Sequence, residues 1–147
     1  MNNQQLLAKA IRIASEAFEN KFDKGGNPYI LHCLHVMNAV KDLGEEAMIV
    51  AVLYDLLEDT EWRTIGLYEE GFHHEMICKI ISLTRLDNES YDDYIKKISL
   101  SDKICIAIKL ADLKHNSDIT RLKGLTKKDF DRLEKYCRAY EYLKEVR

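Results

Sequence analysis

Apolar residues recur every three or four positions along most of the chain, the spacing of helices that bury one face. Leu6, Leu7, Ala10, Ile11, Ile13, Ala14, Ala17 and Phe18 mark a first helix to about Asn20. The polar, glycine-bearing stretch "KFDKGGNP" breaks it. Asn27 suits an N-cap and Pro28 a first helical position, so a second helix is expected from there to about Asp42. Gly44 ends it, and Glu45 and Glu46 suit the positive end of a third helix running through about Asp59. "TEWRTIGLYEEGF" reads as a turn and a short helix closed by Gly71, with a further helix from about His73 to Thr84. The polar loop "RLDNESYDDY" leads into the next helix, with Ser90 and Asp93 at capping-box spacing. Another helix is expected from Ser101 to about Arg121, and Thr126 and Asp129 repeat the capping-box spacing at the start of the last.

One proline, six glycines and no Asn-Gly or Asp-Gly pair leave little punctuation for strands. The expected fold is all-α, a compact bundle of six to eight helices, with residues 1–147 forming a single domain. Net charge is -3 and the pI about 6.0, without the basic excess of a general nucleic-acid binder. No apolar run approaches the roughly 18 residues of a membrane span. The N-terminal stretch lacks a long apolar segment and a cleavage site, so a cytoplasmic protein is expected. Cys33, Cys78, Cys105 and Cys137 are far apart, form no CxxC pair and read as reduced core thiols.

Three segments put polar residues where a buried stripe is expected. In "NPYILHCLHVM", His32 and His35 lie one turn apart on an apolar segment, where one could equally be a hydrogen-bonded core histidine. In "AVLYDLLEDT", an apolar run ends in Asp55, Glu58 and Asp59, at spacings that let all three face one point. They crowd the negative end of a helix, and a cation would relieve both the dipole and their mutual repulsion. In "ICIAIKLADLKHNSD", Asp112 follows another apolar run, with His115 and Asn116 one turn on. Buried aspartate is rare unless it is paired or ligates a metal. Oxygen and nitrogen donors converging in a helical bundle suit Mn²⁺, Fe²⁺ or Mg²⁺, and no cysteine joins them to make structural zinc.

The same residues resemble a known family. "GGNPYILH", "AVLYDLLEDT" and "IKLADLKHN", in that order, are similar to the motifs of HD-domain metal-dependent phosphohydrolases. The nearest likeness is to the hydrolase domain of Rel/Spo-type alarmone enzymes and to single-domain small alarmone hydrolases, from about Ala10 to Tyr142. The resemblance implies an HD-type bundle with one bound divalent metal, usually manganese, and His32, Asp55 and Asp112 as ligands. It gives Glu58 and Asp59 the attacking water, and Asn116 the geometry of metal and substrate. Lys21 and Lys24 fall in the loop near the nucleotide base, Arg85, Tyr91 and Tyr94 on a candidate wall for base or ribose. Lys109, Lys114 and Arg121 are candidates for phosphate contact, although Lys109 is nearly opposite some site positions and Lys114 suits the surface equally well. The implied reaction removes the 3′-pyrophosphate of guanosine tetra- or pentaphosphate, with other phosphorylated nucleotides such as NADPH as further substrates. A chain of 147 residues leaves no room for a synthetase domain. A homo-oligomer is compatible with the sequence; nucleic-acid and membrane partners are not expected.

Position 54 departs from the pattern: Tyr54 stands where the family has its second histidine. A phenol must lose a proton of pKa about 10 before it ligates as an anion, so it is a poor substitute for neutral imidazole. Three arrangements are open: a metal held with one protein ligand fewer, substitution by His35 or His115, or an empty site. The last would make the chain a catalytically degenerate HD domain that binds a guanine nucleotide as a sensor or regulatory module.

Overall fold

The computed structural model describes all 147 residues, Met1–Arg147. Eight helices form it: α1 Asn3–Ala17, α2 Ile30–Ala39, α3 Glu45–Leu53, α4 Thr64–Glu69, α5 His74–Ser82, α6 Tyr91–Ser99, α7 Lys103–Asn116 and α8 Lys127–Val146. A detached α-helical turn, Leu56–Asp59, follows α3, and 3₁₀ turns span Lys41–Leu43 and Ile119–Arg121. The all-α bundle is as expected, and none of its helices is long and apolar enough to cross a membrane.

α3 is the central helix. Ala47 and Ile49 through Leu53 are all buried, and α3 packs against α1, α2 and α5. Full burial of each large aliphatic side chain contributes about 1.5–3 kcal/mol, so this helix anchors the fold although it presents no polar face. α7 closes the other side, packed on α2 and α8. The helix that precedes Asp55 and the helix that carries Asp112 therefore both border α2, which carries His32.

Several boundaries differ from the expected ones. α1 stops at Ala17 rather than Asn20, with the Phe18 amide bonding back to Ala14. α2 begins at Ile30, not at Pro28, because the loop before it is pinned across its own base. Phe22 and Pro28 pair as an isolated antiparallel bridge, and the Tyr29 amide donates to the Lys21 carbonyl. Asn27 does not cap the helix; its amide donates to Asp23 Oδ1 at 2.8 Å. α2 also ends early, at Ala39, before the turn Lys41–Leu43. The expected third helix is broken at Tyr54 and Asp55, both still in α-region geometry. α7 starts at Lys103, where the Asp102 side chain accepts from the Ile104 amide, and stops at Asn116. The Thr126–Asp129 capping box forms reciprocally, whereas at Ser90 the side chain accepts from Asp93. All four cysteines are free, but only Cys33 and Cys105 are core thiols; Cys78 and Cys137 are exposed.

Candidate metal and nucleotide site

The site forms where the ends of α3 and α7 meet the side of α2. Asp55 sits at the break after α3, buried, and Glu58 and Asp59 follow on the detached turn. One carboxylate oxygen from each of these three lies within 4.8 Å of the others. The convergence expected from their spacing is therefore present, although the helix supporting it is interrupted.

Asp112 is 3% exposed and fully engaged. Its Oδ1 accepts from the Tyr54 hydroxyl, from His32 Nε2 at 2.9 Å and from Asn116 Nδ2 at 3.0 Å. Its Oδ2 accepts from Lys109 Nζ at 2.8 Å. Burial alone would raise the Asp112 pKa, but the Lys109 ammonium and His32 outweigh it and hold the carboxyl well below the usual range. Lys109 is therefore buried and paired with Asp112, not a free phosphate contact. Lys114, by contrast, is exposed.

Asp55 has the opposite balance. Burial, then the Asp112 charge, push its pKa up to about 7, against the lowering effect of the Tyr29 hydroxyl that donates to Oδ2. Glu58 accepts from the Arg85 amide at 2.6 Å, and lost solvation of its carboxyl raises its pKa. Asp59 pairs with Lys21 Nζ at 2.8 Å, and that ammonium also stands 4.1 Å from the centre of the Tyr29 ring.

The histidines stack. His32 Nδ1 is 2.7 Å from His115 Nδ1, and the His35 and His115 ring centres are 3.7 Å apart. Burial, Arg121 and His32 lower the His115 pKa to about 4, so its imidazole is neutral at pH 7. His35 is exposed and its ring stacks on that of His115.

Arg121 folds back from its 3₁₀ turn. Nη1 donates to the His115 carbonyl at 2.9 Å and to Asn116 Oδ1 at 3.3 Å, while Nη2 pairs with Asp23 at 3.1 Å. The loop carrying Lys21 and Lys24 runs close here: a Cβ on Gly25 would overlap the Arg121 carbonyl. A cleft of about 240 Å³ opens beside this contact, lined by Lys21, Lys24, Tyr29, Asn116, Arg121 and Arg132 among others.

Lys21, Lys24 and Arg121 thus face one cleft. Arg85, Tyr91 and Tyr94 do not line it. Arg85 and Tyr91 pack together, with 5.5 Å from guanidinium to ring, and the buried Tyr91 hydroxyl has no partner. Tyr94 belongs to the core: it is buried, and its hydroxyl donates to the Leu83 carbonyl at 2.6 Å. Sequence reasoning gave no role to Tyr29 or Arg132. Tyr29, three residues before His32 in the same short motif, carried the available signal; for Arg132 on α8 there was none.

Hard divalent cations take oxygen and imidazole donors. The carboxylate trio fits such an ion, and Asp55, buried among other acids, is the group a cation would most relieve; His32 and Asp112, the other expected ligands, bond each other and are not among the converging donors. Tyr54 does not fit as a ligand. It is buried, and burial with the Asp112 and Asp55 charges raises its pKa far above that of an ordinary phenol, so it stays protonated and donates to Asp112.

An all-α bundle with an ordered His32, Asp55 and Asp112 is the HD-domain architecture. Within that class the chain is a homologue of the RSH/SpoT proteins. It is 32% identical over 143 residues to the Borreliella burgdorferi guanosine-3′,5′-bis(diphosphate) 3′-pyrophosphohydrolase, covering 89% of this chain and 21% of that protein. It is 32% identical over 116 residues to the Haemophilus influenzae protein of the same name, covering 71% and 17%. A Mycobacterium leprae probable GTP pyrophosphokinase is 29% identical over 78% of this chain and 16% of its own length. The chain therefore spans about a fifth or less of these relatives. A solved structure, described as a metazoan ortholog of SpoT that hydrolyzes ppGpp, shares the fold with a TM-score of 0.79 at 19% identity, covering 97% of this chain and 85% of that one. No protein-family model matches the chain.

Proposed function

We propose that residues 1–147 form one domain, a metal-dependent nucleotide phosphohydrolase of the guanosine-3′,5′-bis(diphosphate) 3′-pyrophosphohydrolase type, acting in the cytoplasm. The observation that carries this reading is the meeting of three separated motifs. Tyr29 of the first bonds Asp55 of the second, His32 and Tyr54 both bond Asp112 of the third, and the Lys21 that bonds Asp59 also lines the cleft, where basic and acidic side chains mix. His32, Asp55 and Asp112 are the proposed ligands of Mn²⁺ or another divalent ion. Such an ion supplies a Lewis acid and a bound water of lowered pKa.

The chain's own residues do the rest. Without a metal, His32 Nε2 donates to Asp112; a ligating His32 would give up that bond and carry its proton on Nδ1, where the neutral His115 can accept it at 2.7 Å. Glu58 and Asp59 border Asp55 from the exposed side, where they can orient water and accept its proton. Lys21, Lys24 and Arg121 give the cleft its attraction for a phosphorylated guanine nucleotide, and Asn116 joins the cleft to Asp112. Arg85 and Tyr91 are proposed to meet the far end of the substrate.

The test is purified protein with Mn²⁺ and ppGpp, followed by nucleotide separation. Release of pyrophosphate is the expected result. Release of neither pyrophosphate from ppGpp nor phosphate from NADPH and related nucleotides would sink the reading.

A further inference from the structure

The acceptor capacity of Asp112 Oδ1 is already used up. A carboxylate oxygen offers two lone pairs, and three donors converge on this one: the Tyr54 hydroxyl, His32 Nε2 and Asn116 Nδ2. The Lys109 ammonium takes Oδ2. The three donors on Oδ1 differ in how they can let go. His32 can carry its proton on Nδ1 instead, with His115 at 2.7 Å to receive it. Asn116 is exposed and lines the cleft, where water can replace its partner. Tyr54 has neither outlet. It is 2% exposed at the end of α3, and its hydroxyl bonds to Asp112 alone. Once released, that hydroxyl would be a buried donor without an acceptor, which costs the desolvation of the group. The other phenol on an expected ligand, Tyr29 on Asp55, is only half-buried and borders the cleft.

We propose that Tyr54 is a lock on the metal site: its hydroxyl competes with the divalent ion for Asp112, and Asp112 becomes a ligand only when that hydroxyl is displaced. This rests on the ligand set His32, Asp55 and Asp112 proposed above, and it gives position 54 an active part. The phenol weakens the site by what it does to Asp112, not only by the imidazole it fails to supply. The free energy of the Tyr54–Asp112 bond is then subtracted from that of metal binding. The same bond stabilises the metal-free protein, where it satisfies a buried hydroxyl and a buried carboxylate together.

Tyr54→Phe separates competition from the loss of a ligand, because it keeps the ring, removes only the hydroxyl and adds no donor. A missing ligand alone predicts that phenylalanine binds metal no better than tyrosine. Competition predicts tighter binding by about tenfold or more, the worth of a hydrogen bond to a charged group. The full chain is titrated with Mn²⁺ alone, and the free ion is followed by its electron paramagnetic resonance signal. Thermal unfolding is the second readout. Without metal, Tyr54→Phe should melt below the unaltered chain, and saturating Mn²⁺ should close the gap, since the ion-bound forms no longer contain the bond. A merely structural hydroxyl would leave the gap the same with and without metal. In an Asp112→Asn background, Tyr54→Phe should bring no gain in Mn²⁺ affinity. Equal or weaker Mn²⁺ binding by Tyr54→Phe overturns the lock and leaves the proposed ligands standing. A gain that persists with Asp112→Asn overturns the route through Asp112. Mn²⁺ binding by neither protein overturns the ligand set itself, and the lock with it.

Discussion

Asp55 and Asp112 are the same residue at the ends of two similar apolar runs, and their surroundings are opposite. Asp112 receives four donors, including a buried ammonium, and stays ionised. Asp55 receives the Tyr29 hydroxyl and faces other acids, so burial and Asp112 raise its pKa to about 7. Burial by itself therefore says little about a carboxylate. The α7 side of the site is a closed network that holds the fold, and the α3 side is held short of charge compensation, where a cation or a reacting proton has something to gain.

Breaking the closed side should have the largest effect. Asp112→Ala leaves Lys109 buried without its counter-ion and strands the Tyr54 hydroxyl. The expected cost is about 3–5 kcal/mol, since removing one partner of a buried pair leaves an uncompensated charge. Urea unfolding measures it, and Asp112→Asn, which keeps an acceptor oxygen, should cost less. A loss under about 1 kcal/mol for Asp112→Ala would mean that the network is not structural.

Tyr54 is where the two sides touch, because its hydroxyl spends itself on Asp112 instead of offering an imidazole. Tyr54→His is expected to raise metal affinity by about 10–100-fold, with hydrolysis rising in step. Metal analysis of the two purified proteins, each assayed with ppGpp, checks it. If the unaltered protein already holds one equivalent of metal, the phenol is not limiting.

How much of this could be read from the sequence divides along the same line. The all-α class, the Thr126–Asp129 capping box and the meeting of Asp55, Glu58 and Asp59 rest on spacing within one segment, and spacing is written in the chain. The break at Tyr54 and Asp55 is not. Both residues keep α-region angles, and each is tied to a distant partner, Tyr54 to Asp112 and Asp55 to Tyr29. Pro28 misled for a similar reason: a local helix-start signal lost to a bridge with Phe22 six residues back. Lys109 reads in the sequence as a candidate for phosphate contact, yet its i,i+3 spacing to Asp112 is the clue to their pairing.

Proton linkage separates the two carboxylates in metal-free protein. An unfolded aspartate titrates near about 3.9. Asp55 folds with its pKa raised to about 7, so between those values the native state binds more protons than the unfolded one. Stability from this group is therefore lost as pH rises from about 4 to about 7. Asp112 has the reverse sign: its lowered pKa gives stability that is present above about 4 and lost below. His115 also favours the higher pH, because its pKa is lowered to about 4 and protons bind the unfolded state first. The comparison of Asp55→Asn with the unaltered chain isolates the first contribution. With chelator present, the variant should match it near pH 4 and exceed it by about 1 kcal/mol or more near pH 8. A difference that does not change with pH would place Asp55 in water rather than in the site.

The smallest stability effect is expected at the outer edge of the open side. Lys21 pairs with Asp59 at 2.8 Å, but both side chains are about a third exposed, at 36% and 28%. Water and salt screen such a pair, so Lys21→Met should cost under about 1 kcal/mol in unfolding. Its ammonium also covers the Tyr29 ring and lines the cleft, where a nucleotide phosphate would compete with Asp59 for it. The variant should therefore raise KM for ppGpp more than it lowers kcat, and the KM difference should shrink as salt is added. A kcat loss at unchanged KM would instead tie Lys21 to Asp59 and its water. That outcome would extend the charge-compensated network from Asp112 to the acid that is expected to be free for chemistry.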